Sequence, residues 1–172
     1  LAPDVPLFKG IVGDLFPGVE LEDVDYGAMK DCLLDMCKQN LLQPTDYFLK
    51  KVFEIYEMFI VRHGFMVVGL PFAGKSNALL MLKQTLTEMK IREPDNKKWQ
   101  KVYTTIINPK SIPMGQLYGQ FDPQTHEWSD GVLAISYRNF AAEPPKVGNE
   151  EDLKWVIFDG PVDAIWIENM NT

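Results

Sequence analysis

The chain has 172 residues, a formal net charge of -7, 46% apolar residues and 24% charged residues. That length suits one domain with a sizeable core, and the composition excludes a disordered, collagen-like or coiled-coil chain. No apolar run nears the ~18 residues of a membrane span, and an acidic chain lacks the basic excess of a dedicated nucleic-acid binder.

Residues 1–25 mix Pro, Gly and acids with Leu7, Phe8, Ile11, Val12, Leu15 and Phe16. The turn residues predict an ordered loop, and the apolar ones predict that it packs against the body. The start, LAPDVPLFKG, lacks the basic-then-apolar layout of a secretory signal. The acidic run of Glu20, Glu22, Asp23 and Asp25 suits a solvated stretch before a helix N-terminus. That helix is expected over 26–40, with Met29, Leu33, Met36 and Cys37 on one face. Cys32 and Cys37 are the only cysteines. Their spacing puts them on different faces, which argues against a disulfide and for two half-buried thiols, in keeping with a reducing compartment. His63 and His126 lie far away in sequence, so no zinc set is visible. After Pro44, Thr45 or Asp46 caps a second helix over 47–63. Its inward positions are Leu49, Val52, Phe53, Tyr56, Phe59 and Ile60, and Gly64 ends it.

Residues 65–68 form a wholly apolar run bounded by glycines, the pattern of a buried parallel strand. A loop over 69–74 leads to a helix over 75–91 with Leu79, Leu80, Leu82 and Leu86 inward. A basic turn over 92–101 leads to a second strand, 102–107, ended by Asn108-Pro109. Helix-loop material comes next, over 112–118. The segment 119–132 carries a turn-rich FDPQTHEW core and Asp130-Gly131, a hairpin-type dipeptide. Residues 141–152 read as a surface loop, 155–158 as a third strand ending at Asp159, and 162–170 as a short helix. Strands alternating with helices argue for an α/β domain with a mostly parallel sheet and helices on both sides.

The strongest chemical signal is GLPFAGKS. It fits G-x-x-x-x-G-K-[ST] at every fixed position, with a strand expected before it and an amphipathic helix after it. The glycines let the backbone curl so that successive N–H groups face phosphate oxygens, and the helix N-terminus adds its partial positive charge. The expected phosphate cradle is Gly69, Leu70, Pro71, Phe72, Ala73, Gly74, Lys75, Ser76 and Asn77. Lys75 would reach the β- and γ-phosphates, and the Ser76 hydroxyl would hold Mg²⁺. A glycine-rich turn with an accidental GKS is the bland alternative, and the agreement of strand, loop and helix speaks against it.

Trp155-Val-Ile-Phe-Asp159 resembles a Walker B strand, whose Asp159 would bind Mg²⁺ through water; the alternative is an acid that merely caps a strand. A proton-accepting carboxylate often comes directly after that aspartate. Here Gly160 and then Pro161 stand there, and neither accepts a proton. Asp163 is expected to cap the last helix, and Glu168 sits too far along. The residues therefore predict binding of ATP or ADP with Mg²⁺, no catalytic residue, and little hydrolysis. The three arginines, Arg62, Arg92 and Arg138, are too few and scattered for a kinase. Lys97, Lys98 and Lys101, diluted by Glu93 and Asp95, read as a solvated face. His63 complements a helix dipole, and His126 lies in a surface turn. Arg138 could serve a phosphate or inter-module contact, with no spacing argument behind it.

The stretches GLPFAGKS, INPKSIPMGQLYGQFDPQTHEWSDGVL and WVIFDGPVDAIWIENMNT resemble axonemal dynein heavy chains, in particular the second AAA+ module of the motor ring. The opening LFKGIVGDLFPG is similar to the start of AAA+ large subdomains in those chains. The resemblance implies an AAA+ large α/β subdomain over 1–172: an N-terminal loop and helices over 1–63, and a P-loop core over 64–172 with a β-hairpin insert, cut before the sensor-1 strand and the lid. It implies that Ile11 and Val12 contact adenine and that the hairpin around Trp128 faces the linker or a neighbouring module. It also implies a structural or regulatory role for bound ATP within a microtubule minus-end motor of cilia and flagella. The partners implied are the neighbouring AAA+ modules and linker of the same heavy chain, dynein intermediate and light chains, and the microtubule through parts outside this chain. Nucleic acid and membrane are not expected partners. The competing readings are a catalytically active P-loop ATPase or kinase, and an interaction module with a vestigial pocket.

Overall fold

A computed structural model describes residues 4–19 and 26–170. The acidic run at Glu20, Glu22, Asp23 and Asp25 lies outside the described residues. The opening segment differs from expectation: Asp4–Leu15 is a helix, α1, rather than a loop. Leu7, Phe8, Ile11, Val12 and Leu15 recur at the helical period, and Pro6 falls in the first turn, where a missing N–H costs nothing. Nor does the segment pack as expected, for α1 has no buried residue.

Three helices form the main core. They are α2 (Gly27–Gln39), α3 (Asp46–Val61) and α4 (Lys75–Arg92). The Thr45 hydroxyl caps α3 by accepting from the Phe48 N–H at 3.3 Å. The buried face of α2 is Met29, Cys32, Leu33, Met36 and Cys37, and α4 answers with Ala78, Met81, Leu82, Thr85, Leu86 and Met89. Two inward assignments fail, since Ile60 and Leu80 are exposed. Ile60 follows the buried stripe of α3 but falls in its last turn, past the buried residues, whereas Leu80 sits on the side of α4 opposite its buried stripe. Both cysteines are fully buried rather than half-buried, because the covered face of α2 is wide enough to take both. Burial pushes both thiols above their ordinary pKa. Iodoacetamide should therefore label Cys32 and Cys37 roughly 100-fold or more slowly in the native chain than in denaturant; equal rates would contradict this packing.

The basic turn after α4 is folded tightly. Trp99 is buried and donates its indole N–H to Glu93 at 2.9 Å, while Arg92 pairs with Asp35 and Glu88. It delivers strand β1 (Val102–Ile107), which α4 holds through Lys83 to the Thr104 hydroxyl at 2.8 Å and through Thr87, which accepts from the Val102 N–H at 3.2 Å. The next pieces are α5 (Met114–Leu117), β2 (Gly119–Phe121), β3 (Trp128–Asp130), α6 (Val132–Ala141), β4 (Leu153–Phe158) and α7 (Ala164–Met170). Strands β1 and β4 pair in parallel, Val102 opposite Leu153 and Ile107 opposite Phe158. Alternate residues of β4 face opposite layers. Leu153 and Trp155 join the α2–α4 core, whereas Val156 and Phe158 join a second core with Ile107, Leu117, Leu133 and Trp166. Helices thus cover both faces, and the α/β class is as expected.

Two local expectations are corrected. Residues 65–68 form no strand, and Met66 and Val68 are 72% and 79% exposed. An apolar run supplies a wish for burial, but a strand exists only where a ladder partner lies beside it. In the hairpin of β2 and β3, the chain reverses at residues 122–127, where the Asp122 carboxylate accepts from the N–H groups of Gln124 and Thr125 at 2.7 and 2.9 Å. Asp130-Gly131 is not that turn: Asp130 ends β3 and Gly131 caps α6, a helix that the sequence pattern does not announce. Gly131 is required there, since a Cβ would stand 2.3 Å from the Leu117 carbonyl oxygen.

Candidate functional site

The GLPFAGKS loop forms the turn that opens α4. Gly74 takes a left-handed conformation, φ +82°, just before the first helical residue, and Phe72 also has a positive φ of 62°. Glycine accepts such a backbone without cost, whereas Phe72 carries it as strain, a feature found at ligand-clamping loops. The sharp reversal leaves a row of donors. Among the described residues, no acceptor takes the backbone N–H groups of Gly74, Lys75, Ser76 and Asn77. Unpaired N–H groups at a helix start form an anion cradle. Lys75 folds back along the loop, its ammonium donating to the carbonyls of Gly69 at 2.9 Å and Leu70 at 2.8 Å. An ammonium has three donors, so one remains for an oxygen in the cradle.

The other candidate position is the C-terminal end of β4. Asp159 comes directly after Phe158, and its N–H donates to the Ile107 carbonyl at 2.9 Å, which extends the ladder by one step. Its carboxylate is exposed and engages no partner among the described residues. The Ser76 hydroxyl is equally exposed and unengaged. Both are hard oxygen donors, so the chemistry of each suits Mg²⁺.

The loop after Asp159 is tightly fastened. Gly160 has no side chain. Asp163 is committed twice: its Oδ1 accepts from the Ile165 N–H at 2.9 Å, and its carboxylate pairs with Lys110. Lys110 first, then the Ile165 N–H, holds the Asp163 carboxyl below its ordinary value of 3.8. A carboxylate so engaged is a poor base, and Glu168 stands exposed on α7. Trp166 anchors the same loop, donating its indole N–H to Pro161 at 3.1 Å, while Tyr118 donates to the Trp166 carbonyl. A depressed carboxyl pKa stabilises the fold above pH 3.8 and loses that contribution as pH falls through the folded value. In acid titration monitored by fluorescence, Asp163→Asn should therefore be less sensitive to pH below about 4 than the parent chain.

Of the remaining sequence candidates, Ile11 and Val12 lie on α1, Ile11 exposed and Val12 half-buried. Arg138 is paired with Asp130, and Lys98 lies over the Trp99 ring. Sequence reasoning missed Lys110, Asn108 and Trp166, which shape the loop after Asp159. The Asn-Pro that ends β1 was the available signal.

An α/β unit with a parallel strand pair between helices, and a G-x-x-x-x-G-K-S turn opening one of them, is a P-loop nucleotide-binding unit. Comparison with known proteins gives the narrower class. The family described as "Hydrolytic ATP binding site of dynein motor region" matches residues 1–76. The chain is 51% identical to dynein axonemal heavy chain 12 of Rattus norvegicus, over all of this chain and 5% of that protein. It is also 51% identical to dynein axonemal heavy chain 3 and 43% identical to dynein axonemal heavy chain 1, both of Homo sapiens, over all of this chain and 4% of each. The chain is thus similar along its whole length to a short segment of axonemal dynein heavy chains, spanning about one twentieth of the relatives it matches, and over residues 1–76 to the dynein motor-region family.

Proposed function

We propose that this segment is the large α/β subdomain of the second AAA+ module of a ciliary or flagellar dynein ring, and that it holds ATP with Mg²⁺ while turning it over little or not at all. The observation that carries the reading is the asymmetry of the site. The cradle is complete, with free N–H groups, Lys75 and the hydroxyl of Ser76. The hydrolytic side is not, with Gly160 after Asp159 and Asp163 tied to Lys110. The backbone of 69–77 takes the phosphates, and Ser76 and Asp159 hold the metal. Bound Mg²⁺ would neutralise phosphate charge, and these residues bind and orient without supplying a proton acceptor.

Bound nucleotide then acts structurally, joining the subdomain to its neighbours in the ring; linker contacts fall to the hairpin around Trp128. Adenine packing falls to Ile11 and Val12. Microtubules, intermediate chains and light chains belong to the heavy chain as a whole, at the axoneme. The family match is described as hydrolytic, but it ends at Ser76 and leaves the Asp159 loop outside it. The test is the nucleotide recovered after incubation with excess MgATP, desalting and denaturation, using this segment with the sequence that succeeds it in the heavy chain. ATP supports the reading, and predominantly ADP refutes it.

A further inference from the structure

We infer that the turn after β1 locks position 160 as glycine: Asn108 fills the space a side chain there would need, so no single substitution installs a base. The inference rests on the proposed reading of the site as non-hydrolysing and gives it a steric cause. A Cβ at residue 160 would stand 2.9 Å from Asn108 Oδ1, 3.2 Å from Pro109 Cδ and 3.6 Å from Asn108 Cγ. The first of these is closer than Cβ atoms come in proteins. The φ of Gly160 lies outside the left-handed region, so the requirement is one of space and not of backbone conformation.

Asn108 is not free to retreat. Its Oδ1 accepts from the Lys110 N–H at 3.0 Å, and its carbonyl accepts from the Ser111 N–H at 3.1 Å and the Ser111 hydroxyl at 2.8 Å. Pro109 is stiffened by its own ring. The other side of the loop is held as well, since Lys110 pairs with Asp163 and the Asp159 N–H reaches Ile107. A side chain at 160 must therefore push the loop or the turn, and either movement displaces Asp159, the proposed metal ligand. Asn108 is in this sense a positioning residue. A serine at 108 would end where the asparagine Cγ stands, 3.6 Å from the added Cβ, and would keep an oxygen for the Lys110 N–H.

The experiment is hydrogen exchange with mass spectrometry on the heavy chain carrying Gly160→Ala, Asn108→Ser or both, read in peptides covering 107–111 and 159–165. Gly160→Ala should speed exchange in both peptides on the order of tenfold. Asn108→Ser alone should leave the rates near those of the parent, and the double variant should return to them, the non-additivity expected of neighbours in contact. Parent-like rates in Gly160→Ala overturn the lock, as does a double variant no slower than Gly160→Ala. Nucleotide recovered from the segment with its succeeding sequence separates the two ideas. ATP from Gly160→Glu supports the lock, ADP from Gly160→Glu alone overturns it, and ADP from the parent overturns the reading beneath it.

Discussion

Lys75→Ala should empty the site. Its ammonium is the only formal positive charge within GLPFAGKS, and charge-assisted hydrogen bonds to phosphate contribute about 1.5–3 kcal/mol each. Losing them weakens MgATP binding by roughly 100-fold, enough for desalting to strip nucleotide that the parent retains. The substitution spares the core, because among the described residues the Lys75 ammonium hydrogen-bonds to the exposed Gly69 and Leu70 carbonyls and not to a buried group. Unliganded thermal stability should then stay close to that of the parent. Retention of ATP by Lys75→Ala in an equilibrium dialysis titration would show that phosphate is held elsewhere. Retention combined with a lowered melting temperature would show that the lysine serves the fold instead.

Leu33→Ala should produce the largest loss of stability. Leu33 is fully buried on α2, in the core shared with α3 and α4. Removing its isobutyl group loses transfer free energy and leaves a cavity in a close-packed interior, about 2–5 kcal/mol in comparable sites. Against a total of roughly 5–15 kcal/mol for a domain, that is a large share. Urea denaturation should show the midpoint falling at an unchanged slope. Val61→Ala, at a position 78% exposed on α3, should change stability by about 0.5 kcal/mol or less. Equal effects from the two substitutions would mean that the three-helix core is not the centre of stability. Because α4 belongs to that core and begins at the P-loop, the first substitution should also weaken nucleotide retention, whereas the second should not.

The P-loop and the loop after Asp159 differ in how far the sequence reveals them. The P-loop was legible because its requirements are local: glycine at the left-handed position 74, a lysine and a hydroxyl at fixed steps, and a helix after them. Asp159 was legible because a strand of four apolar residues ending in an acid is itself a local pattern. The fate of Asp163 was half legible. Its helix-capping role comes from its neighbours, but its pairing with Lys110 joins residues 53 apart, on the two turns that leave β1 and β4. Spacing along a chain carries no information about that meeting. The same holds for Gly160, which reads as a missing carboxylate in the sequence and as a filled space in three dimensions.

The sequence by itself determined the helices α2, α3 and α4, the strands β1 and β4, and the glycine-bearing turn that opens α4. Each is written in a periodicity or a spacing that a short stretch of chain can satisfy alone. Tertiary structure decided the rest. Residues 65–68 are apolar enough for a strand, yet they lie unpaired, because hydrogen-bonded ladders need a second chain segment at the right distance. Cys32 is buried alongside Cys37 because the covered face of α2 is wide, which a single helix's pattern does not reveal. The loop after Asp159 is held by Asn108, Lys110 and Trp166, which packing of the two ends of the sheet brings together. Local physics wrote the turn that opens α4; long-range packing decided what holds the loop after Asp159.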